Sequence, residues 1–389
     1  MVNKKPRTQF RNSALMWLSW QAFASVGVAV GLAGCGMGTD GKPGARAQPV
    51  VYGVDGRREY YELSVEAQRS LVRSSMVALM RRDFAERVAD GRASELPTWG
   101  ELLGLCMGES FADQPAAAFC SGVLVDHDLV LTSEHCVSMS PITDSVVVFD
   151  YLYESQGSID VDYGALFDVE RVVAVGVFDD GAAQRLDFAF IRLSRPVTGK
   201  RRPAALYTQR PELSVGQAIF SASTGGGVPM KWDASATIQA LRVEGDYFIA
   251  NTDTSEGASG SAALDETLGL VGVLSRGGAD FEPTPEGCLK TAALTDAPQE
   301  QFTQVHQAVA ELCRVEPERW MCDADCRQPC SISRDRRVEA QCSLVLGPGD
   351  PRARLPTSPL ALLLAWLLTR VRLRWTRRSF ERIHFSDHQ

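Results

Sequence analysis

Short runs of apolar residues, separated by turn-forming residues, dominate the middle of this 389-residue sequence. Between about residues 119 and 275 they read FCSGVLV, LVLTSEHC, SVVVFDYLY, VERVVAVGVF, DFAFIRL, AIFSAS, YFIANTD and LGLVGVLS. Many short strands at modest spacing, without helices alternating between them, favour an all-β sandwich or a pair of barrels over an α/β fold. We therefore predict an all-β domain in this region.

Two longer segments have helical spacing instead. Residues 67–88, AQRSLVRSSMVALMRRDFAERV, predict one helix ahead of the strands. Residues 298–313, PQEQFTQVHQAVAELC, place four apolar side chains on one face and predict a second helix. Together with the strands, these segments indicate a single β-rich domain over residues 50–312 with short peripheral helices.

A basic stretch followed by an apolar run opens the chain. The run ends at Cys35, and this layout is typical of a signal peptide rather than of a fold element. Leu32-Ala33-Gly34-Cys35 resembles the bacterial lipobox, which implies that Cys35 is the lipidated first residue of the mature protein. A plain secretory signal and an uncleaved membrane anchor are the alternatives. We predict a signal peptide over 1–34, a flexible tether over 35–49 and a location at the bacterial cell envelope, lipid-anchored, or outside the cell.

The composition changes again beyond residue 312. Residues 313–345 contain CDADCRQPC, and in an exported chain such cysteines favour disulfides over the short ligand pairs of a zinc site. Nine cysteines follow Cys35, so one of them is unpaired, processed or bonded to another chain. Residues 346–389 join an apolar run to an arginine cluster. This combination loosely resembles the C-terminal sorting signals of some Gram-negative bacteria, and an amphipathic membrane-surface tail is the alternative.

The charge and motif content excludes several classes of function. The formal net charge is -8, so nothing in the sequence indicates binding to nucleic acid. The stretch TGGG at 224–227 lacks the lysine and the helix start of a phosphate-binding loop, and the chain has no His-rich zinc motif. We expect no metal and no cofactor, and the oligomeric state stays open.

Three chemically useful residues stand at strand edges in the order histidine, aspartate, serine. His135 follows a strand in LTSEHC, Asp187 opens DFAFIRL, and Ser259 lies in the loop DTSEGASGS. A serine hydroxyl is a poor nucleophile until a base takes its proton, and an imidazole base needs a carboxylate to orient it. Each residue also has a structural alternative as a buried histidine, a strand-initiating aspartate or a linker serine. The order and the three contexts together favour a nucleophilic serine.

The backbone around these residues supports the same interpretation. Gly257 and Gly260 permit a turn in which the amides of Gly257 and Ser259 point at one spot beside the hydroxyl. A bridge between Cys120 and Cys136 would close a short loop and fix the backbone next to the histidine.

The blocks CSGVLV…LTSEHC, LDFAFIRLSRPV and DTSEGASGS…LVGVLSRG together resemble the signature blocks of chymotrypsin-like serine peptidases, in the bacterial branch related to glutamyl endopeptidases. The resemblance covers about residues 50–298. It implies two packed six-stranded antiparallel β-barrels with the site between them, and hydrolysis of protein or peptide substrates through an acyl-enzyme. It assigns His135 as general base and acid, Asp187 as its orienting carboxylate and Ser259 as nucleophile, with the Gly257 and Ser259 amides as the oxyanion hole.

The resemblance also implies where substrate side chains and backbone bind. Asp253, six residues before the nucleophile, stands where trypsins have the base of the specificity pocket. Ser275 and Gly277 lie in a segment that resembles the edge pairing with substrate backbone. The strand LVGVLSRG has no histidine, so a preference for glutamate is not expected.

Two residues depart from the family pattern. Glu134 stands beside the base, where a small residue is usual, and either interacts with the imidazole or faces solvent. Ala258 replaces an aspartate or asparagine, so it cannot accept the new N-terminal amine that activates trypsin-like zymogens. These departures leave a catalytically inactive relative that binds proteins as the alternative to an active peptidase.

Overall fold

The computed structural model describes residues 51–52, 54–138, 142–176, 186–242, 247–278, 280–294, 300–323 and 328–330. The predicted signal peptide, Cys35, the tether and the C-terminal tail lie outside these residues, so the proposed anchor and location stay predictions. No helix in the described ranges is both long and apolar enough to cross a membrane.

The strands are short and divide into two groups along the chain. The first group is β1 Val51–Tyr52, β2 Arg57–Glu59, β3 Met76–Arg81, β4 Ala118–Asp126, β5 Leu129–Thr132, β6 Ser145–Val148, β7 Tyr153–Ser155, β8 Ser158–Ile159, β9 Leu166–Val175 and β10 Ala189–Leu193. The second group is β11 Ala218–Ser223, β12 Lys231–Arg242, β13 Tyr247–Ala250, β14 Ala262–Leu264, β15 Leu270–Arg276, β16 Phe281–Pro283, β17 Leu289–Thr291, β18 Ala293–Leu294 and β19 Glu300–Gln304. The helices are α1 Glu66–Ser75, α2 Arg82–Ala89, α3 Trp99–Leu103, α4 Glu134–Ser138 and α5 Val305–Val315.

Six antiparallel strands of the first group close a barrel in the order β10–β5–β4–β3–β6–β9. Closure pairs both edges of every strand, so no backbone edge in this ring is left for another chain. The interior is apolar, with Leu79, Leu124, Val147 and Ile191 all fully buried.

Six strands of the second group form another ring, β11–β14–β15–β19–β13–β12, which closes through the pairing of β11 with β12. Strand β2 adds to β12 on its outside. Phe248 and Phe302 stack inside this ring with their centroids 5.2 Å apart. The predicted fold of two six-stranded antiparallel β-barrels is therefore confirmed.

Two helices predicted from the sequence are partly wrong, for the same reason. The middle of segment 67–88 is strand β3, which pairs with β4 and β6, and the start of segment 298–313 is strand β19, which pairs with β13 and β15. Both strands are needed to close a barrel. Met76–Met80 are all buried, so local periodicity does not separate helix from strand there, and non-local pairing decides.

Helix α5 continues through the boundary predicted between residues 312 and 313. A disulfide joins Cys313 to Cys322. Trp320 and Met321, which lie between these cysteines, belong to an apolar cluster that includes side chains of both barrels. Cys330 also packs in this cluster and pairs with Leu206 through its backbone. The described part of the predicted cysteine-rich segment is thus built into the barrels and is no separate unit.

One arginine after helix α5 ties this segment to the first barrel. Arg319, whose side chain is 10% exposed, donates to Asp126 at 2.8 Å, to Asp128 at 2.5 Å and to Glu316 at 2.8 Å. Burial opposes ionisation of Glu316, but its hydrogen bonds and ion pairs with arginines outweigh this and lower its pKa.

Candidate active site

Three side chains from distant parts of the chain line one cleft. His135 lies in helix α4 directly after β5, and Asp187 lies two residues before β10, so both come from the first barrel. Ser259 lies in the turn between β13 and β14 of the second barrel. The cleft they share has a volume of about 710 Å³. The structure therefore brings together the three residues singled out from the sequence.

The imidazole of His135 is oriented by the carboxylate of Asp187. Nδ1 lies 2.8 Å from Oδ2, while Oδ1 accepts the amide of Glu134 at 2.7 Å and that of His135 at 3.4 Å. The Asp187 side chain is only 4% exposed, so these contacts hold it in one position. When Nδ1 donates to this carboxylate, Nε2 is the ring nitrogen left to accept a proton.

A pair of hydroxyls from the second barrel holds the backbone of Asp187. Its amide donates to Thr303 Oγ1 at 3.2 Å, and its carbonyl accepts the Ser275 hydroxyl at 3.3 Å. The two hydroxyls lie 2.6 Å apart. Ser275 lines the cleft, as expected for a substrate-binding edge, but its hydroxyl faces inward. Thr303 was missed, because only the barrel packing brings strand β19 beside residue 187.

The backbone of the Ser259 turn is fixed to strand β4. The Ser259 carbonyl accepts the Ser121 amide at 2.8 Å, next to the disulfide that joins Cys120 to Cys136, the pair expected from the sequence. At Gly260 the backbone has φ +81°, and a β-carbon would collide with the carbonyl of Ser121. A residue with a side chain would therefore break this connection.

Two amides in the turn have no hydrogen-bond partner among the described residues, those of Gly257 and Ser259. The amides of Ala258 and Gly260, by contrast, donate to backbone carbonyls at 2.8 and 2.9 Å. An unpaired amide has a cost unless water or a ligand accepts from it. The alternation leaves two donors beside the serine hydroxyl, in the cleft that both residues line.

The direction of the Gly257 amide follows from the preceding peptide unit. The carbonyl of Glu256 accepts the Gly226 amide at 2.6 Å. In a planar trans peptide the N–H points opposite to the C=O, so the Gly257 amide is directed away from Gly226. Gly257 adopts φ +91°, which a residue with a side chain rarely accepts.

Ala258 and Glu134, the two residues that depart from the family pattern, differ in their surroundings. Ala258 is fully buried in the apolar interior of the second barrel, where a carboxylate would lack a partner. The Glu134 side chain is half-buried, and its backbone amide supports Asp187.

One group of potential metal ligands occurs in the described residues, formed by Cys120, His135 and Cys136. Both sulfurs are in a disulfide and are therefore not thiolates, which are the form that binds metal. This group does not fit a metal ion.

Asp253 does not line the cleft, so the expected role at the base of the specificity pocket does not fit its position. The side chain is 1% exposed, and its carboxylate accepts the amides of Tyr52 at 2.9 Å and Gly56 at 2.6 Å. Burial raises the pKa of Asp253 to about 6, with the nearby carboxylates of Asp233 and Asp55 adding to the rise.

The cleft is also lined by residues that the sequence did not indicate as functional. Gly277 lines the cleft as expected, and Asp280 and Phe281 follow it there. Helix α3 supports this wall, since Trp99 packs edge-on against Phe281 with centroids 5.5 Å apart. An acidic residue directly after the glycine-rich edge was the available signal for Asp280.

One protein-family model matches part of this chain. Residues 120–273 match the family model for the trypsin-like peptidase domain. No curated protein matches the sequence. A solved structure of a Glu endopeptidase in complex with MPD is 18% identical, covers 69% of this chain and 100% of its own, and gives a TM-score of 0.42.

Proposed function

We propose that this chain is an active endopeptidase of the chymotrypsin-like type, on the premise that residues 120–273 match the family model for the trypsin-like peptidase domain. The observation that carries the proposal is the cleft itself. It contains the imidazole of His135, whose Nδ1 lies 2.8 Å from Asp187 Oδ2. It also contains Ser259, beside two amides that have no hydrogen-bond partner among the described residues. In a protein-binding relative without activity, these donors would have no oxyanion to stabilise.

In the proposed reaction each group of the cleft has one step. Ser259 Oγ attacks the carbonyl carbon of the scissile bond while His135 Nε2 takes the hydroxyl proton, and Asp187 stabilises the imidazolium that forms. The amides of Gly257 and Ser259 donate to the new oxyanion, which is where their lack of other partners matters. This triad mechanism is the general one for the family.

The second half of the reaction reuses the same groups. The imidazolium gives its proton to the leaving amine, the C–N bond breaks, and an acyl-enzyme ester is left on Ser259. A water molecule then loses a proton to His135 and attacks the ester. The C–O bond to Ser259 breaks, the proton returns to its oxygen, and the carboxylic acid product leaves.

The test uses the full-length chain and a fluorophosphonate probe, which labels only an activated serine. We expect the label on Ser259 and cleavage products from a mixed peptide library. Both should be absent from Ser259→Ala, with a loss of turnover on the order of 10⁶-fold.

Ser261→Ala is the matched control. Ser261 lies in the same turn and is fully buried, and its hydroxyl has no hydrogen-bond partner among the described residues. Its removal should therefore leave labelling and turnover in place. A folded wild-type chain that neither takes the label nor cleaves any peptide would instead support the inactive, protein-binding alternative.

A further inference from the structure

We propose that Asp280 selects the substrate side chain that precedes the scissile bond, and that this side chain is a cation, lysine or arginine. The inference rests on the proposed peptidase function. It assigns to Asp280 the role that the sequence had suggested for Asp253.

Two segments line the part of the cleft next to the nucleophile. They are residues 254–257, and residues 274–278 with Asp280 and Phe281. Asp280 joins them, because its Oδ2 accepts the amide of Glu256. Asp280 is only 9% exposed although it lines the cleft, whereas Glu256 and Gly277 are exposed. The carboxylate therefore lies in the inner part of the cleft, within the same wall as the oxyanion donors.

The Asp280 carboxylate lacks a cationic partner in the part of the chain that the structure describes. No lysine, arginine or histidine nitrogen there lies within 4.0 Å of it, and the Glu256 amide is its recorded hydrogen-bond donor. Burial raises the pKa of Asp280 to about 7, and the charge of Glu256 adds to the rise. A buried carboxylate without a counter-charge is costly, so a cation that enters the cleft would stabilise its ionised form.

The nearby protein cations either pair with another carboxylate or are exposed to solvent. The Arg57 guanidinium, the cation whose charge most affects Asp280, forks onto the Asp55 carboxylate at 2.9 and 2.8 Å and lies 4.9 Å above the Phe111 ring. Arg276 lines the cleft but is exposed, where solvent and salt screen its charge. The Arg57 charge opposes the rise in the pKa of Asp280 without reversing it, so a cationic ligand would still stabilise the ionised carboxylate.

The wall that carries Asp280 is built to stay in place. The Asp280 carbonyl accepts the Ala292 amide at 3.1 Å, and the hairpin of β16 and β17 that begins at Phe281 is tied by the Cys106–Cys288 disulfide to the loop before β4. A carboxylate held on such a frame loses little freedom when a cationic side chain enters. This is the condition for strong discrimination between side chains.

The test compares two fluorogenic peptides that differ at one position, arginine or its uncharged isostere citrulline, directly before the scissile bond. We expect wild-type kcat/KM for arginine to exceed that for citrulline by about 100-fold or more. In Asp280→Asn the carbonyl can still accept the Glu256 amide but the charge is absent, and we expect the ratio to fall below about tenfold. Equal ratios in wild type and Asp280→Asn would overturn the proposal.

Glu282→Gln is the matched control for the loss of a charge from the same hairpin. Glu282 is exposed and pairs with Lys290 at 3.0 Å, away from the cleft. Its removal should leave the arginine-to-citrulline ratio at the wild-type value. A ratio that falls equally in Glu282→Gln and Asp280→Asn would mean that net surface charge, and no pocket carboxylate, favours arginine.

A second readout separates failure of this inference from failure of the proposed function. Fluorophosphonate labelling of Ser259 reports catalysis whichever side chain is preferred, so labelling with a ratio near one would overturn the Asp280 role alone. Benzamidine, an aromatic cation, reports the site without catalysis. By calorimetry, Ser259→Ala should bind it at least tenfold more tightly than Ser259→Ala combined with Asp280→Asn. Equal binding would refute the cation site even in an inactive protein.

Discussion

The catalytic side of the cleft and its specificity side are constructed in different ways. His135, Asp187 and Ser259 sit at strand ends and are held by backbone amides and carbonyls of neighbouring strands. A disulfide spanning 16 residues braces this side, whereas the one behind the Asp280 hairpin spans 182. The reaction therefore depends on local strand-edge geometry, and the choice of side chain depends on segments that meet only in the folded protein.

The largest effect should come from the catalytic side and should be blind to the substrate side chain. In Asp187→Asn the side-chain oxygen should keep accepting the two backbone N–H groups, so the amide NH2 faces Nδ1 and donates to it, which favours the wrong imidazole tautomer. We expect kcat/KM to fall about 10⁴-fold for the arginine and citrulline peptides alike. Steady-state kinetics with both peptides measures this, and a change in their ratio would contradict the division between the two sides.

An intermediate effect should appear on the specificity side as a pH dependence. A carboxyl with a raised pKa is protonated and neutral below that pKa, so Asp280 attracts a cation only as the pH rises through about 7. The ionised fraction then increases about tenfold between pH 6 and pH 8, and we expect benzamidine affinity to increase by the same factor. Calorimetry at the two pH values measures the slope.

A histidine in the same cleft has to be distinguished from Asp280 as the source of this pH dependence. The charged and titratable side chains that face Asp280 or line its cleft are Glu256, Arg57, Arg276, Asp187 and His135. Histidine is the type among them that ordinarily changes charge in this range. The slope should therefore persist in His135→Ala. Its disappearance there would assign the effect to the imidazole instead.

The smallest effect should come from the disulfide behind the specificity wall. Replacing Cys106 and Cys288 by serine loosens the hairpin after Asp280, and we expect the arginine-to-citrulline ratio to fall by less than about tenfold, or ~1.4 kcal/mol. Labelling of Ser259 should continue at a similar rate. The matched replacement of Cys120 and Cys136 should do the reverse, with slower labelling and an unchanged ratio. The same pattern in both double variants would show that the two sides are not independent.

Much of the catalytic side could be predicted from the sequence because its residues have local signatures. A histidine after a strand, an aspartate before one and a serine in a glycine turn each keep their context in the folded chain. The turn at Gly257 and Gly260 could be predicted for the same reason, since both residues adopt positive φ angles that favour glycine.

The specificity side was not predictable in this way. Asp253 occupies the expected place in the sequence, yet it lies outside the cleft and its carboxylate accepts the amides of Tyr52 and Gly56. Asp280 carries no motif of its own, and contacts formed only in the folded chain place it in the cleft, such as its bond to the Glu256 amide and the packing of helix α3 against Phe281. Strands β3 and β19 were read as helix on similar grounds, because the pairing that closes each barrel has no local signal.

The arginine after helix α5 has a practical consequence for dissecting this protein. A fragment that ended at residue 312 would lack Arg319. Asp126 and Asp128, at the end of the first barrel, would each lose their ion pair with it. It would also uncover the apolar surface beneath Trp320, Met321 and Cys330. Any recombinant fragment meant to retain the barrels should therefore run at least to Cys330, whatever is removed ahead of residue 51.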